Sequence, residues 1–166
     1  MSEVFHCKKC GSCCRNLFDE LDGIRKGLLL TAKEAKLFPS DMVFPSLGIG
    51  TEKRKKIITY QLNAEVCPHI GDKNECLIYE KRPLKCKAFP FDLAGFSIKC
   101  PIMSYRKVGQ FYTDFAPSRL QYTSSEKLDR YMLNRFRKYS SKGVRAWDYD
   151  LAKKKWVINS YYDKII

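Results

Sequence analysis

Apolar positions recur at helical spacing over one long stretch of this chain, at Leu128, Tyr131, Met132, Phe136 and Tyr139. Thr123-Ser-Ser-Glu126 stands just ahead of them as a capping box, in which a hydroxyl and a carboxylate satisfy backbone N–H groups of the first turn. The pattern predicts a helix over 124–140. Its other face carries Lys127, Arg130, Arg135, Arg137 and Lys138, a wet basic side. Elsewhere the predicted elements are short. Thr31-Ala-Lys-Glu34 is another capping box and predicts a helix over 32–38 that ends before Pro39. Residues 39–50, with Pro39, Ser40, Pro45, Gly48 and Gly50, read as a loop. Residues 57–62 read as a strand, 71–74 as a turn, and 77–80 as a helical turn stopped by Pro83. Residues 96–100 and 108–115 read as further strands. Trp147 and Trp156, flanking Lys153, Lys154 and Lys155, frame a hairpin. Residues 1–16 fit no period and read as irregular loops.

Those irregular loops hold the densest chemistry. Four of the eight cysteines stand in Cys7-Lys-Lys-Cys10-Gly-Ser-Cys13-Cys14, and Cys67, Cys76, Cys86 and Cys100 follow. Two-residue gaps let successive thiolates converge on one ion or cluster, and Gly11 permits the tight turn between them. Thiolates are soft donors suited to zinc and iron–sulfur sites. Eight could build two four-thiolate sites, or one such cluster with cysteines to spare. A ferredoxin run needs a cysteine at position 17, which is Leu17. A radical S-adenosylmethionine run fails at the same residue. Neighbouring Cys13 and Cys14 strain to share one tetrahedral zinc and more naturally serve two sites or two irons. Disulfides and plain buried thiols are the alternative reading. His6 and His69, each beside a cysteine motif, are candidate auxiliary ligands.

The fold class that follows is α+β: a small irregular cysteine-rich, metal-centred core with short helices and strands, plus a C-terminal basic helix and hairpin. The expected division is residues 1–105 as a cysteine-cluster domain and 106–166 as a basic, aromatic-rich extension packed on it. The N-terminus lacks a basic region followed by an apolar one, so no signal peptide is expected. No apolar run approaches spanning length. A cytoplasmic protein is the expectation, and in a reducing cytosol clustered cysteines more often bind metal than pair. The wealth of Lys, Tyr and Ile also suits thermophiles, whose cytosols tolerate disulfides.

Charge adds a second candidate function. The net charge is +13, which draws a protein of this size toward polyanions. Arg106, Lys107, Arg130, Arg137, Lys138, Lys153, Lys154 and Lys155 are candidate contacts to RNA or the ribosome. Tyr105, Phe111, Tyr112, Trp156, Tyr161 and Tyr162 interleave with such residues, a composition suited to base stacking and equally to an amphipathic strand.

The run Cys76-Leu-Ile-Tyr-Glu-Lys-Arg-Pro-Leu-Lys-Cys86-Lys-Ala-Phe-Pro-Phe91, taken with the 7–14 run and Cys67-Pro68, resembles the YkgJ-like cysteine-cluster family of zinc- or iron-chelating domains. That family also includes the cluster portion of flagellin lysine N-methylase. The resemblance covers about residues 5–102, with Lys87 where arginine is commoner. It implies that all eight cysteines bind metal, as an iron–sulfur cluster (4Fe–4S) or as zinc. Around such a centre Arg82 would hydrogen-bond cluster sulfur or a carboxylate of Glu80 or Asp92. Pro83 would stop the helix and aim Cys86 inward. Phe89, Pro90 and Phe91 would form a dry wall, with Tyr79 packed similarly.

Three functions stay open on these grounds: a metal-binding protein with a redox, iron-handling or structural role; an RNA- or ribosome-associated scaffold; and a methyltransferase-related enzyme component. The last lacks a glycine-rich nucleotide turn, since Gly48-Ile-Gly50 holds only two glycines. Asp19, Glu20 and Asp22 read as surface.

Overall fold

The computed structural model describes residues 3–92, 95–96, 99–104 and 115–164. Helices and strands mix along the chain, so the fold is α+β. Two compact units form, each from two separate stretches: Met1–Leu17 with Glu65–Leu128, and Phe18–Ala64 with Asp129–Ile166. The units therefore interleave along the chain.

The second unit is built on a five-stranded antiparallel sheet. Its spatial order is Lys155–Ile158, Arg145–Asp150, Val43–Gly50, Lys55–Leu62, Leu28–Leu30. The stretch read as a loop from its prolines and glycines is thus the central strand. Two local facts reconcile composition with structure. Register shifts interrupt the ladder between Pro45 and Gly48, a bulged place where proline is tolerated. Gly48 lies under the Trp156 ring, and a Cβ there would stand 2.9 Å from it, so this glycine serves a close approach rather than a turn. Buried Gln61 stitches the irregular place. Its Nε2 donates to the Pro45 and Tyr149 carbonyls at 2.8 and 2.9 Å, and its Oε1 accepts the Gly27 N–H at 2.9 Å.

One apolar cluster lies between this sheet and the end of the long helix. Leu47, Ile49, Ile58, Ala146 and Phe136 are buried, with Met132, Tyr139, Val144 and Tyr162 against them. The spacing of 132, 136 and 139 is the helical stripe seen in the sequence. The C-terminal hairpin is present as expected, but it extends the sheet through pairing of Arg145–Asp148 with Leu47–Gly50. Two buried or half-buried carboxylates fasten it. Asp148 takes Lys26 Nζ and Asn159 Nδ2 at 2.6 Å each. Buried Asp150 accepts backbone N–H groups of Arg25, Ala152 and Lys153.

The long helix runs Arg119–Tyr139, starting earlier than its predicted 124. A different capping box opens it. The Ser118 N–H donates to Gln121 Oε1 at 2.7 Å, and the Gln121 N–H to Ser118 Oγ at 3.3 Å. Thr123 instead donates its hydroxyl to the Arg119 carbonyl, a bond available inside a helix. The Thr31–Glu34 box forms reciprocally, as predicted, with bonds of 2.8 and 3.3 Å. It caps a 3₁₀ segment, Glu34–Leu37, rather than an α-helix.

Elements of the first unit are short. They comprise the 3₁₀ turns Ser12–Cys14 and Tyr79–Lys81, the helices Leu84–Ala88 and Pro101–Ser104, and two-residue strands including Glu3–Val4, Phe91–Asp92 and Phe115–Ala116. The predicted strand over 108–115 lies almost wholly outside the described residues, as does part of the one over 96–100. No helix among the described residues is long and apolar enough to cross a membrane.

Candidate metal centre

All eight cysteines lie in the first unit, and all are free thiols. Local structure explains how five short segments bring them together. Gly11, at φ +75°, turns the chain so that the Cys14 N–H reaches the Gly11 carbonyl at 3.0 Å, which sets Cys13 and Cys14 on one 3₁₀ turn. The 71–74 turn docks on this knuckle. A Cβ at Gly11 would meet that of Asn74 at 2.9 Å, and the Arg15 guanidinium donates to Asn74 Oδ1 at 2.8 Å. Two backbone bonds then clamp the knuckle to the next cysteine segment: Cys67 N–H to the Cys14 carbonyl at 2.7 Å, and Leu17 N–H to the Glu65 carbonyl at 2.9 Å. A bridge between Ile70 and Cys76, with the Leu77 N–H on the His69 carbonyl, folds Cys76 back toward Cys67.

Pro83 acts differently from the expectation. It begins a helix rather than only ending one, standing at the N-cap of Leu84–Ala88, where its missing N–H costs nothing. That helix carries Cys86. Cys100 is buried beside Phe5 and Met103, with Phe89, Phe91, Ile102 and Phe115 against them. The Phe5 ring meets those of Phe91 and Phe115 edge-on at 5.7 and 5.8 Å. Phe89 and Phe91 thus pack next to Cys100, and Pro90 between them is fully buried.

Electrostatics shows which thiols feel one another. The Cys13 thiol donates to Cys14, raising Cys13 far above its ordinary range and lowering Cys14, which Arg15 and Arg82 lower further. Burial pushes Cys86 strongly up, and the neighbouring Cys14, Cys67 and Cys76 push it further, while Arg82 opposes them. Burial also raises Cys67, again with Cys14 and Cys76 nearby. Cys100 is raised by burial, with Cys10 and Cys7 as its thiol neighbours. Cys13 also feels Cys86 and Cys7, and Cys10 feels Cys14, so the thiols form one mutually interacting set. They are gathered but not closed on a point. Among the described residues no group of three or more His, Cys, Asp or Glu side chains is close enough together to hold a metal ion.

The donor set nonetheless suits a soft metal. It is all thiol, mutually interacting, and held beside the Arg82 guanidinium, whose Nε is buried with no hydrogen-bond partner among the described residues. Arg82 rests on the Tyr79 ring, 3.8 Å from its centroid, and Lys9 Nζ lies 4.7 Å from the same ring. His6 is exposed, and His69 contributes its carbonyl to the 67–77 loop. Sequence patterns missed Arg15, Asn74 and Lys9, because their roles depend on turns docking on the knuckle.

Matching the chain to family models aligns residues 6–113 with the CxxCxxCC family, described as a "putative zinc- or iron-chelating domain". The chain belongs to that family. The match includes all eight cysteines and three of the five sheet strands, and it stops before the hairpin that completes the sheet. No curated protein and no solved structure matches the chain. Family membership supports metal binding and leaves the metal open.

The nucleic-acid candidates are scattered. Arg106 and Lys107 lie outside the described residues, as do Tyr105, Phe111 and Tyr112. Arg130, Arg137 and Lys138 are exposed on the long helix, joined by Arg119 and Lys127. Lys153 is engaged with Asp150 and the Gly23 carbonyl, while Lys154 and Lys155 are exposed at the hairpin turn. Two proposed stacking rings are already committed: Trp156 packs over Gly48 and edge-on to Tyr149, and Tyr162 stacks on Phe136 at 4.9 Å. Tyr161 is exposed.

Proposed function

We propose that this protein binds metal through Cys7, Cys10, Cys13, Cys14, Cys67, Cys76, Cys86 and Cys100, holding one iron–sulfur centre or two zinc or iron ions in the cytoplasm. Eight free thiols from separate segments meeting in one unit is the observation that carries this reading. When bound, the metal would cross-link those segments and, if iron, exchange electrons. The chain's own residues gather the thiols, pack Phe5, Phe89 and Phe91 beside Cys100, and set Arg82 on Tyr79 among the cysteine segments. Neutral buried thiols must release protons to bind, so loading should strengthen as pH rises.

Anaerobic purification with elemental analysis and an optical spectrum tests the proposal. Iron with sulfide and a charge-transfer band supports a redox or iron-handling centre. About two zinc ions per chain without colour supports a structural one. A metal-free chain whose thiols resist alkylation would sink both. Cys86→Ser should lose metal and stability together.

A second reading, contact with RNA or the ribosome, is favoured by the exposed stripe Arg119, Lys127, Arg130, Arg137 and Lys138 on one helix. It predicts binding that weakens steeply with salt. No binding at low salt would end it. A methyltransferase-related role draws only on the family resemblance, and an S-adenosylmethionine binding assay decides it.

A further inference from the structure

Arg82 stands out among the basic residues of the cysteine unit. Its guanidinium carbon lies 3.8 Å from the centroid of the Tyr79 ring, close enough for the flat group to stack. Its Nε is buried, yet among the described residues it has neither a hydrogen-bond acceptor nor a carboxylate in ion-pair contact. An unsatisfied buried donor on a charged group is costly, so such an atom marks a partner still to be supplied. Thiols flank this residue along the chain, Cys76 before it and Cys86 after it. The chain also brings Arg82 there rigidly. It directly precedes Pro83, the N-cap of the helix bearing Cys86, and follows the 3₁₀ turn Tyr79–Lys81 that begins three residues after Cys76.

Tyr79 adds a second link. Lys9 lies between Cys7 and Cys10, donates its backbone N–H to Cys7 Sγ at 3.3 Å, and sets its ammonium 4.7 Å from the Tyr79 ring centroid. One ring thus receives a cation from each of two cysteine-bearing segments. Replacing several thiols by thiolates concentrates negative charge at the centre, and cations tied to a common ring offset it.

We propose that Arg82, held by Tyr79, is the positioning residue of the metal centre: its Nε–H donates to a sulfur of the loaded centre, whether a cysteine thiolate or an inorganic sulfide. This rests on the metal-binding reading above and adds a named donor to it. The requirement is directional as well as electrostatic. Lysine would keep the charge but has no N–H at the Nε position and no flat face for Tyr79.

The test uses the full chain, loaded with zinc in one arm and anaerobically with iron and sulfide in the other. The variants are Arg82→Met, Arg82→Lys and Tyr79→Leu. Zinc affinity is read by competition with a chromophoric chelator, and the iron arm by its absorption band and reduction potential. Arg82→Met should weaken zinc by roughly 10–100-fold, the usual cost of losing a residue that supports a metal ligand. In the iron arm it should lower the potential, because an N–H to sulfur favours the more negative, reduced state. Arg82→Lys should recover only part of either effect. Tyr79→Leu should shift both the same way by less, and it covers the case in which Arg82→Met fails to fold. The thermal midpoint of each metal-free variant should stay near that of the parent. A parent that holds no metal overturns both readings. A loaded parent with Arg82→Met indistinguishable from it, or with Arg82→Lys fully restored, overturns this one alone. An effect on zinc without one on the sulfide-containing centre assigns the acceptor to a thiolate, and the reverse assigns it to sulfide.

Discussion

The two units of this chain bury different chemistry. In the sheet unit the fully buried side chains are mostly apolar, with Leu30, Ile49, Ile58 and Leu62 at its centre, Gln61 fully bonded among them, and Thr59 and Asp150 as the other fully buried polar groups. Its strands reach eight residues, and long-range pairing ties residues 28–62 to 145–158. The cysteine unit has two-residue strands and helices of four or five residues, apart from the first half of the long helix. Its buried apolar cluster is small, centred on Phe5, Met103 and Cys100. Beside that cluster the cysteine unit gathers eight thiols, of which Cys67 and Cys100 are buried and Cys13, Cys14, Cys76 and Cys86 half-buried. A core of hydrocarbon is stabilised by leaving water, whereas a core of thiols needs a metal to become cohesive. The first unit should stand without a cofactor, then, only as far as its small aromatic cluster allows.

Metal removal should separate the units most sharply. Chelation should cost the cysteine unit on the order of 10 kcal/mol, the scale of structural zinc in small domains. Amide exchange should then accelerate over residues 7–17 and 65–91 while 43–50 and 55–62 stay protected. Simultaneous loss of protection in both would break the comparison. Next in size, Ile58→Ala should destabilise the sheet unit by about 3 kcal/mol through the cavity it leaves. Metal content should not change, and a drop in bound metal would show that the two cores are one.

Asp150 offers a smaller, pH-dependent probe. Burial alone would push its carboxyl up, but the N–H groups of Ala152, Arg25 and Lys153 hold it below the usual range. A carboxyl lowered by folding contributes stability above its unfolded value, and loses it as pH falls through the folded one. Asp150→Asn should therefore cost about 2 kcal/mol at neutral pH, as expected for a buried charge-assisted network. The difference from the parent should hold down to about pH 4 and shrink below it. A difference independent of pH would mean the carboxylate is not the stabilising form. Smallest of all, Leu77→Ser at an exposed site between Cys76 and Tyr79 should change stability by less than about 0.5 kcal/mol. A larger loss would show that this leucine is covered in solution.

Much of the site was legible because cysteine chemistry is written residue by residue. Spacing in the 7–14 run and the 76–91 run singled out the cysteines as candidate donors without a structure. The capping box at Thr31 was equally plain, since its two bonds lie within four residues. The box at Thr123 misled, because the same local pattern recurs inside helices and the choice of Ser118 depended on what precedes the helix. The 43–50 strand was hidden for a stronger reason. Its prolines and glycines look like loop signals, and only the Trp156 ring above Gly48 and the Gln61 amide beside Pro45 make a strand of them.

What the sequence determined by itself is therefore the local part: eight soft donors, a basic amphipathic helix, a C-terminal hairpin and an α+β character. Those depend on side-chain type and short spacing. The tertiary structure alone decided that residues 18–64 join 129–166 in one sheet, that Pro83 starts the helix bearing Cys86, and that Arg82 is laid on Tyr79 beside the thiols. Each of these joins residues, or chooses among conformations, by packing and hydrogen bonds that no local pattern records.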